Sequence, residues 1–490
     1  MTREDLCVIM AQNKDLEEIT KEMYLDRRLT EYGQSDYYPF HMPGHKRRFA
    51  DETFPSEIDI TEIDGFDNLH DAQEILKAAQ ERAAALYDAG RTYFCVNGST
   101  CGLLSAISAA VPCGGKVLIA RNCHRAVYHA AYLRQLTVEY LYPEINENGI
   151  QGVIEPSAVE EMLRTKEGIA AVVLTSPTFD GIVSDICAIA DIAHAHGIPL
   201  IVDEAHGAHF GLHPYFPQTA VRSGADVVIQ SMHKTLPSLT QTSLVHLQSE
   251  YVKAEKLERF LGIYETSSPS YVLMAGMDRC VRMLTEQGNE LLEAYVERLK
   301  EFYRKAVTLK KIRVVPQMQG KDPSKLLIFA DQLGFNGKEL YDILLKNYHL
   351  QPEMCSGSYV LAITSLADTD EGFERLFTAL QEIEMAYAGR ESEASIADFI
   401  KQVYRKADKC FEPFEAWDRE AGQILLANAE GRIAADFVNL YPPGIPLLVP
   451  GERITKEMLE NLQMCIERRL YVQGVDKCTN DGNLRIKVVN

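Results

Sequence analysis

Between residues 90 and 247 short apolar runs alternate with amphipathic stretches, and this alternation leaves few folds open. Thr92–Val96, Lys116–Ala120, Thr137–Leu141, Ala170–Leu174, Pro199–Val202, Ala225–Ile229 and Ser243–Leu247 read as strands. Ser99–Ala110, His124–Leu133, Pro156–Arg164 and Asp185–His196 read as helices between them. Strands joined through helices in this way form a mostly parallel α/β sheet with both faces covered. After Glu250 the texture changes. Met277–Val307 reads as one long helix leaving the first domain, and Ile312–Tyr387 as a smaller α/β unit. Glu391–Asn490 carries its own Pro/Gly-rich loop, Tyr441–Gly451. The expected layout is an N-terminal segment (1–50), a large domain (51–308), a small α/β domain (309–390) and a C-terminal domain (391–490).

A net charge of −20 disfavours nucleic acid and anionic membrane surfaces as partners. No apolar run approaches the ~20 residues that a membrane helix needs. The stretch Met1–Glu22 is charged throughout and lacks the apolar core of a signal peptide. The eleven cysteines show neither CxxC pairs nor zinc spacing, which fits reduced, mostly buried thiols and no metal site. These features together give the expectation of a cytoplasmic protein.

The chemistry gathers at the C-terminal ends of the expected strands, where parallel sheets place their ligands. Ser231-Met-His-Lys-Thr235 follows Ala225–Ile229. Lys234 offers an amine for a carbonyl, and Ser231 and His233 offer donors for an anion; together they suit pyridoxal phosphate. Asp203, after Pro199–Val202, could hold a pyridine nitrogen protonated, or merely cap the next turn. Asn97-Gly-Ser-Thr100 opens a helix. Gly98, Ser99, Thr100 and the free N–H groups of the helix start make a phosphate cup, or ordinary capping. His124 could stack on a ring, or simply start a helix. Ser176-Pro-Thr-Phe-Asp-Gly181 could touch the cofactor or substrate, or be a plain turn.

These segments, with Phe40-His-Met-Pro-Gly-His-Lys46, Arg121-Asn-Cys-His124, Asp203-Glu-Ala-His-Gly207, Thr240-Gln241, Tyr441-Pro-Pro-Gly-Ile-Pro446 and Pro450-Gly-Glu452, span nearly the whole chain. The sequence resembles the Orn/Lys/Arg decarboxylase family, fold type I of the pyridoxal-phosphate enzymes. The resemblance implies that the large domain binds the cofactor, with Lys234 holding its aldehyde, Asp203 pairing with the ring nitrogen and His124 stacking on the ring. Ser99, Thr100, Ser231 and His233 would hold the phosphate. Thr266-Ser267-Ser268 resembles the loop that reaches the phosphate in a partner subunit, implying a homodimer or larger assembly with shared sites. Two departures stand out. The His41–His45 motif comes too early to leave room for the N-terminal wing domain of the large inducible members. His206 replaces a tryptophan that some members carry, so its place near the cofactor is an expectation of position only.

The resulting expectation is decarboxylation of arginine, lysine or ornithine to an amine and CO2, feeding polyamine metabolism. Lys234 or His233 would return the proton to Cα, and Glu353 is the candidate partner for the substrate's basic side chain. The alternatives are another fold type I reaction, such as transamination or lyase chemistry, and a catalytically weak cofactor-binding paralogue.

Overall fold

The computed structural model describes residues 24–39, 41–47, 55–315, 320–390, 396–440, 445–468, 470–477 and 482–490. The stretch Met1–Glu22, Phe40 and the start of the Pro/Gly loop, Tyr441–Gly444, lie outside them.

The large domain is built on a seven-stranded sheet. Its strands are β1 (Arg91–Cys95), β2 (Lys116–Ala120), β3 (Thr137–Leu141), β4 (Ile169–Thr175), β5 (Leu200–Asp203), β6 (Val227–Ser231) and β7 (Ser243–Leu247). Their order is β1-β7-β6-β5-β4-β2-β3. β2 through β6 pair in parallel, and only β7 runs against both its neighbours. The inner strands β2, β4, β5, β6 and β7 are Val/Ile/Leu-rich and almost wholly buried, as a sheet covered on both faces requires, while the edge strands β1 and β3 are partly exposed.

Several boundaries move, each for a local reason. β5 runs one residue past its expected end, so Asp203 pairs within the sheet, with Thr175 on one side and Ile229 on the other. β6 likewise extends to Ser231, and Lys234 sits beyond it in a one-turn helix, Met232–Thr235. The long helix spans Tyr271–Ala306, starting earlier than the apolar period implies because the Ser270 side chain accepts from Leu273 N and caps it. Asp185 caps the helix Ile186–Ala195 through Ala188 N rather than lying inside it.

Helix Gly98–Ala110 lies tightly on the sheet. A Cβ on Gly102 would come within 2.7 Å of Val245 Cγ2 and 3.0 Å of Ile229 Cγ2. Absence of a side chain there lets the helix start stand over the ends of β6 and β7. The helix Leu25–Gly33 buries Leu25 and Leu29 against the same core as the long helix, and Leu25 N donates to Asp278, which Arg82 also holds.

Beyond the long helix, β8 (Arg313–Val314), β9 (Lys325–Phe329), β10 (Met354–Cys355) and β11 (Tyr359–Ile363) form an antiparallel sheet in the order β10-β11-β9-β8. Residues 399–488 have a core of their own with two small three-stranded sheets. This C-terminal region docks on the large domain through a buried ion pair. Arg121 Nη2 donates to both Glu452 oxygens, at 2.8 and 3.2 Å, and Nη1 to Pro446 O at 3.2 Å. Removing one partner strands a buried charge, so Glu452→Ala should lower unfolding free energy by about 3–5 kcal/mol, read from a denaturant midpoint. An unchanged midpoint would show that the pair contributes nothing to docking. No helix among the described residues is long and apolar enough to cross a membrane.

Candidate active site

The C-terminal ends of β1, β2, β4, β5 and β6 open into one cavity of about 620 Å³. It is lined by Gly98, Ser99, Thr100, His124, Asp203, His206, Ser231, His233 and Lys234, which the sequence had placed on separate segments. β2 and β4 flank the point where the strand order reverses, the position at which open α/β sheets bind ligands.

Lys234 Nζ lies 3.1 Å from His206 Nε2. Burial lowers the Lys234 pKa, with Asp203 and Glu353 acting the other way, and so favours the nucleophilic amine. Asp203 is buried, and its Oδ1 accepts from Ala205 N at 3.1 Å. The turn-cap reading and the cavity reading of Asp203 therefore both hold. The neighbouring acid, Glu204, accepts instead from Thr219 Oγ1, Ala220 N and Gln230 Nε2. Burial pushes Glu204 up to about 7. His124 is likewise both helix cap and cavity wall: its Nδ1 accepts from Ala126 N at 3.2 Å. Burial lowers its pKa, against the pull of Asp203, so the ring is held neutral.

At the other end of the cavity Ser99 Oγ lies 2.6 Å from Ser231 Oγ and 2.9 Å from Ser243 Oγ, and Ser243 donates to Gln230 O. Gly98 has φ +72, and a Cβ there would meet only Gln241 O, at 3.7 Å. The loop before it is pinned by Glu265, whose Oε2 accepts from Val96 N and Asn97 N. Gln241 itself sits at φ +85, a conformation that L residues adopt only when the surroundings impose it. His233 Nδ1 donates to Thr242 O at 3.0 Å, which leaves Nε2 for a ligand.

Two cavity residues carry buried polar atoms with no partner in the protein, Asn122 Oδ1 and Thr175 Oγ1. Such orphans are costly unless a bound molecule completes them. With a lysine, a strand-end acid, a neutral imidazole and a hydroxyl-lined helix start around one space, the donor set fits pyridoxal phosphate.

Other expected residues fall elsewhere. Ser267 and Ser268 are exposed and do not line this chain's cavity. Glu353 is exposed and outside the lining, yet its charge acts on Lys234. Asn122, Thr175 and Gln473 were not singled out as site residues in sequence, although Asn122 lies inside the Arg121–His124 segment and Thr175 directly precedes Ser176–Gly181. Thr178 and Phe179, from the Ser176–Gly181 segment, do line the cavity. Gln473 and Ile445 reach it from the C-terminal region, with Gln473 Oε1 accepting from Arg125 Nη2 at 3.0 Å.

Comparisons with known proteins identify the family and the fold. Residues 24–326 match the family model described as Orn/Lys/Arg decarboxylase, major domain, and residues 397–490 match the C-terminal domain of the same family. An arginine decarboxylase of Bacillus anthracis is 30% identical over 469 residues, covering 92% of this chain and 94% of the relative. The solved constitutive lysine decarboxylase of E. coli superposes with a TM-score of 0.83 at 21% identity, over 99% of this chain and 84% of that one. Lysine decarboxylase A from Pseudomonas aeruginosa gives a TM-score of 0.84 at 20% identity, over 98% and 82%. The order of the sheet, the residues gathered at its C-terminal edge and the two matched domains lead to one statement: this chain belongs to the Orn/Lys/Arg decarboxylase family and is an enzyme.

Proposed function

We propose that this protein removes the α-carboxylate of a basic amino acid (arginine, lysine or ornithine) on pyridoxal phosphate, yielding CO2 and an amine of the polyamine-precursor class. The observation that carries the reading is Lys234, half-buried beside His206 in the cavity that also holds Asp203. Bound pyridoxal phosphate supplies an aldehyde for the substrate amine and a protonated ring that accepts the electrons released with CO2. Lys234 would hold the aldehyde, and Asp203, fixed by its place in the sheet, would keep the ring nitrogen protonated. His124 would offer its neutral imidazole to the ring. Ser99, Thr100, Ser231, His233 and the N–H groups that start helix Gly98–Ala110 would hold the phosphate. Lys234 or His233 would supply the proton that replaces the carboxylate on Cα. The acidic, reduced-cysteine composition supports a cytoplasmic setting.

Glu353, whose charge reaches Lys234, is the proposed partner of the substrate's basic end. Glu353→Gln should raise KM for a basic substrate about tenfold or more while changing kcat little, as loss of a ground-state ion pair does. A KM within twofold of native would remove Glu353 from substrate binding. The test of the function is CO2 release from arginine, lysine and ornithine, with arginine first because relatives about 30% identical carry the name arginine decarboxylase. An oxo acid product would turn the reading to transamination, and no turnover on any of the three would favour a non-catalytic paralogue.

We further propose that the active form is a dimer in which Ser267 and Ser268 serve the neighbouring phosphate. Their exposure and their distance from this chain's own cavity support the reading. Ser268→Glu would set a like charge against that phosphate. Neither it nor Lys234→Ala should be active alone. Mixed dimers should regain activity, since one of their two sites carries both lesions and the other neither. No recovery above the parents would count against sharing.

A further inference from the structure

His206 stands between two lysines. Its Nε2 lies 3.1 Å from Lys234 Nζ, and its Nδ1 lies 3.0 Å from Lys325 Nζ. Lys325 opens β9 in the small domain and is fully buried. Its stem runs so close to Gly181 that a Cβ there would come within 2.8 Å of Lys325 Cγ. Phe179 packs edge-on against the His206 ring. The three groups are therefore held in place by backbone and by a dry wall.

Their proton inventory is restricted. An ammonium has three N–H donors and no lone pair, whereas a neutral imidazole has one N–H and one lone pair. Burial, with the charge of Lys325 beside the ring, holds the His206 pKa far below its ordinary value, so the ring is neutral. Two ammonium groups cannot both bond to a neutral ring. If one lysine donates to the ring's lone pair, the other must accept the ring's N–H, and it can do so only as an uncharged amine.

The surrounding charges decide which is which. Asp322, Glu353 and Asp180 favour the charged form of Lys325, and Lys234 opposes it. Asp322 accepts from His209 Nε2, Ser324 N and Ser324 Oγ. Burial would push Asp322 up, but these partners and Lys325 hold it at about 2. Asp180, which accepts from Tyr359, is pushed up by burial to about 6 and is still mostly ionised near neutral pH. The other cation, Lys321, donates to the carbonyls of Asp322 and Lys325. The pocket thus balances Lys321 and Lys325 against Asp180 and Asp322. Burial brings Lys325 down to about 8 and lowers Lys234 as well, so burial does not separate the two lysines; the neighbouring carboxylates do. Lys234 has only the exposed Glu353 and Asp203, and Asp203 is committed to the ring nitrogen once cofactor is bound.

We propose that Lys325 is a positioning residue: it donates to His206 Nδ1, fixes the ring proton on Nε2, and so presents to Lys234 an N–H that only an uncharged nitrogen can accept. The device keeps Lys234 in its nucleophilic form without touching the reacting atoms itself. It rests on the reading of Lys234 as the cofactor lysine.

The test is a pH titration of the visible absorbance band of the purified holoenzyme, which reports protonation of the nitrogen that Lys234 contributes. Lys325→Met keeps the length and removes both charge and donor. The lost charge, and a His206 free to turn its lone pair toward Lys234, both favour a protonated nitrogen. The midpoint should therefore rise by about one pH unit or more, a roughly tenfold change in the proton equilibrium. A merely structural role for Lys325 would lower the melting temperature and leave the midpoint in place. In a His206→Phe background the same substitution should move the midpoint much less. An equal shift in both backgrounds would mean that Lys325 acts by bare charge, and no shift in either that it does not act; each overturns the proposal. If Lys325→Met does not fold, His206→Phe alone decides: its midpoint must rise, and an unmoved one overturns the proposal. A native protein without any visible band would instead sink the reading of Lys234, and this inference with it.

Discussion

Asp203→Asn is expected to leave the protein folded and loaded with cofactor while slowing turnover about a thousandfold, the equivalent of ~4 kcal/mol of lost transition-state stabilisation. Asparagine retains an Oδ1 that can accept from Ala205 N, so the turn that Asp203 closes survives the change. The substitution also keeps the strand pairing with Thr175 and Ile229, which uses backbone alone. What it removes is the negative charge proposed to keep the ring nitrogen protonated. Melting temperature and kcat measured on one sample separate the two roles of the residue. A stable, loaded and fully active Asp203→Asn protein would end the assignment of Asp203 to the ring, and a large fall in melting temperature with near-native kcat would leave it only its cap.

Lys234→Ala should have the larger effect. It removes the group proposed to hold the aldehyde and one of the two candidate proton donors, so turnover should fall at least about ten-thousandfold, or ~5.4 kcal/mol. Phosphate contacts remain, so the cofactor should bind weakly and dialyse away. Borohydride treatment of the native protein should abolish its visible band and leave a covalent label on Lys234. The same treatment of Lys234→Ala should leave none. A label on Lys325, a buried lysine near the cavity, would move the covalent role to that residue.

The strand-end segments were legible because each combines two local signals, an apolar run and then a polar or glycine-containing turn. That is why Gly98, His124, Asp203 and Lys234 could be picked out one by one and then found facing one cavity. The errors of one or two residues at strand ends have a physical source. Asp203 and Ser231 are polar, but their backbones still find partners on neighbouring strands, and a hydrophobicity pattern does not register that pairing. Lys325 was out of reach for a different reason. It opens an apolar strand 119 positions from His206, and only the packing of the small domain against the Ser176–Gly181 turn brings the two together. Gln473 is a similar case, since its approach depends on the docking of the C-terminal region through Arg121 and Arg125. His206 was placed correctly at the cavity, but its two lysine contacts could not be read from Asp203-Glu-Ala-His-Gly207. Ser267 and Ser268 carry no local signal at all for a site, and their standing depends on a second subunit.

The cavity has a floor and a roof of separate origin. The floor is made by strand ends of the large domain; Ile445 and Gln473, part of the roof, belong to a region with its own core and its own sheets. The two are clamped by Arg121 and Glu452, neither of which lines the cavity. Substitutions that reshape the roof can thus accumulate without disturbing the groups that break the carbon–carbon bond. A lineage, or a directed-evolution campaign, could retune which side chain is admitted by mutating around positions 445 and 473 alone. The same arrangement makes a shortened chain a poor laboratory reagent. A version ending near residue 390 would keep the floor but expose it to water and leave a buried arginine without its carboxylate.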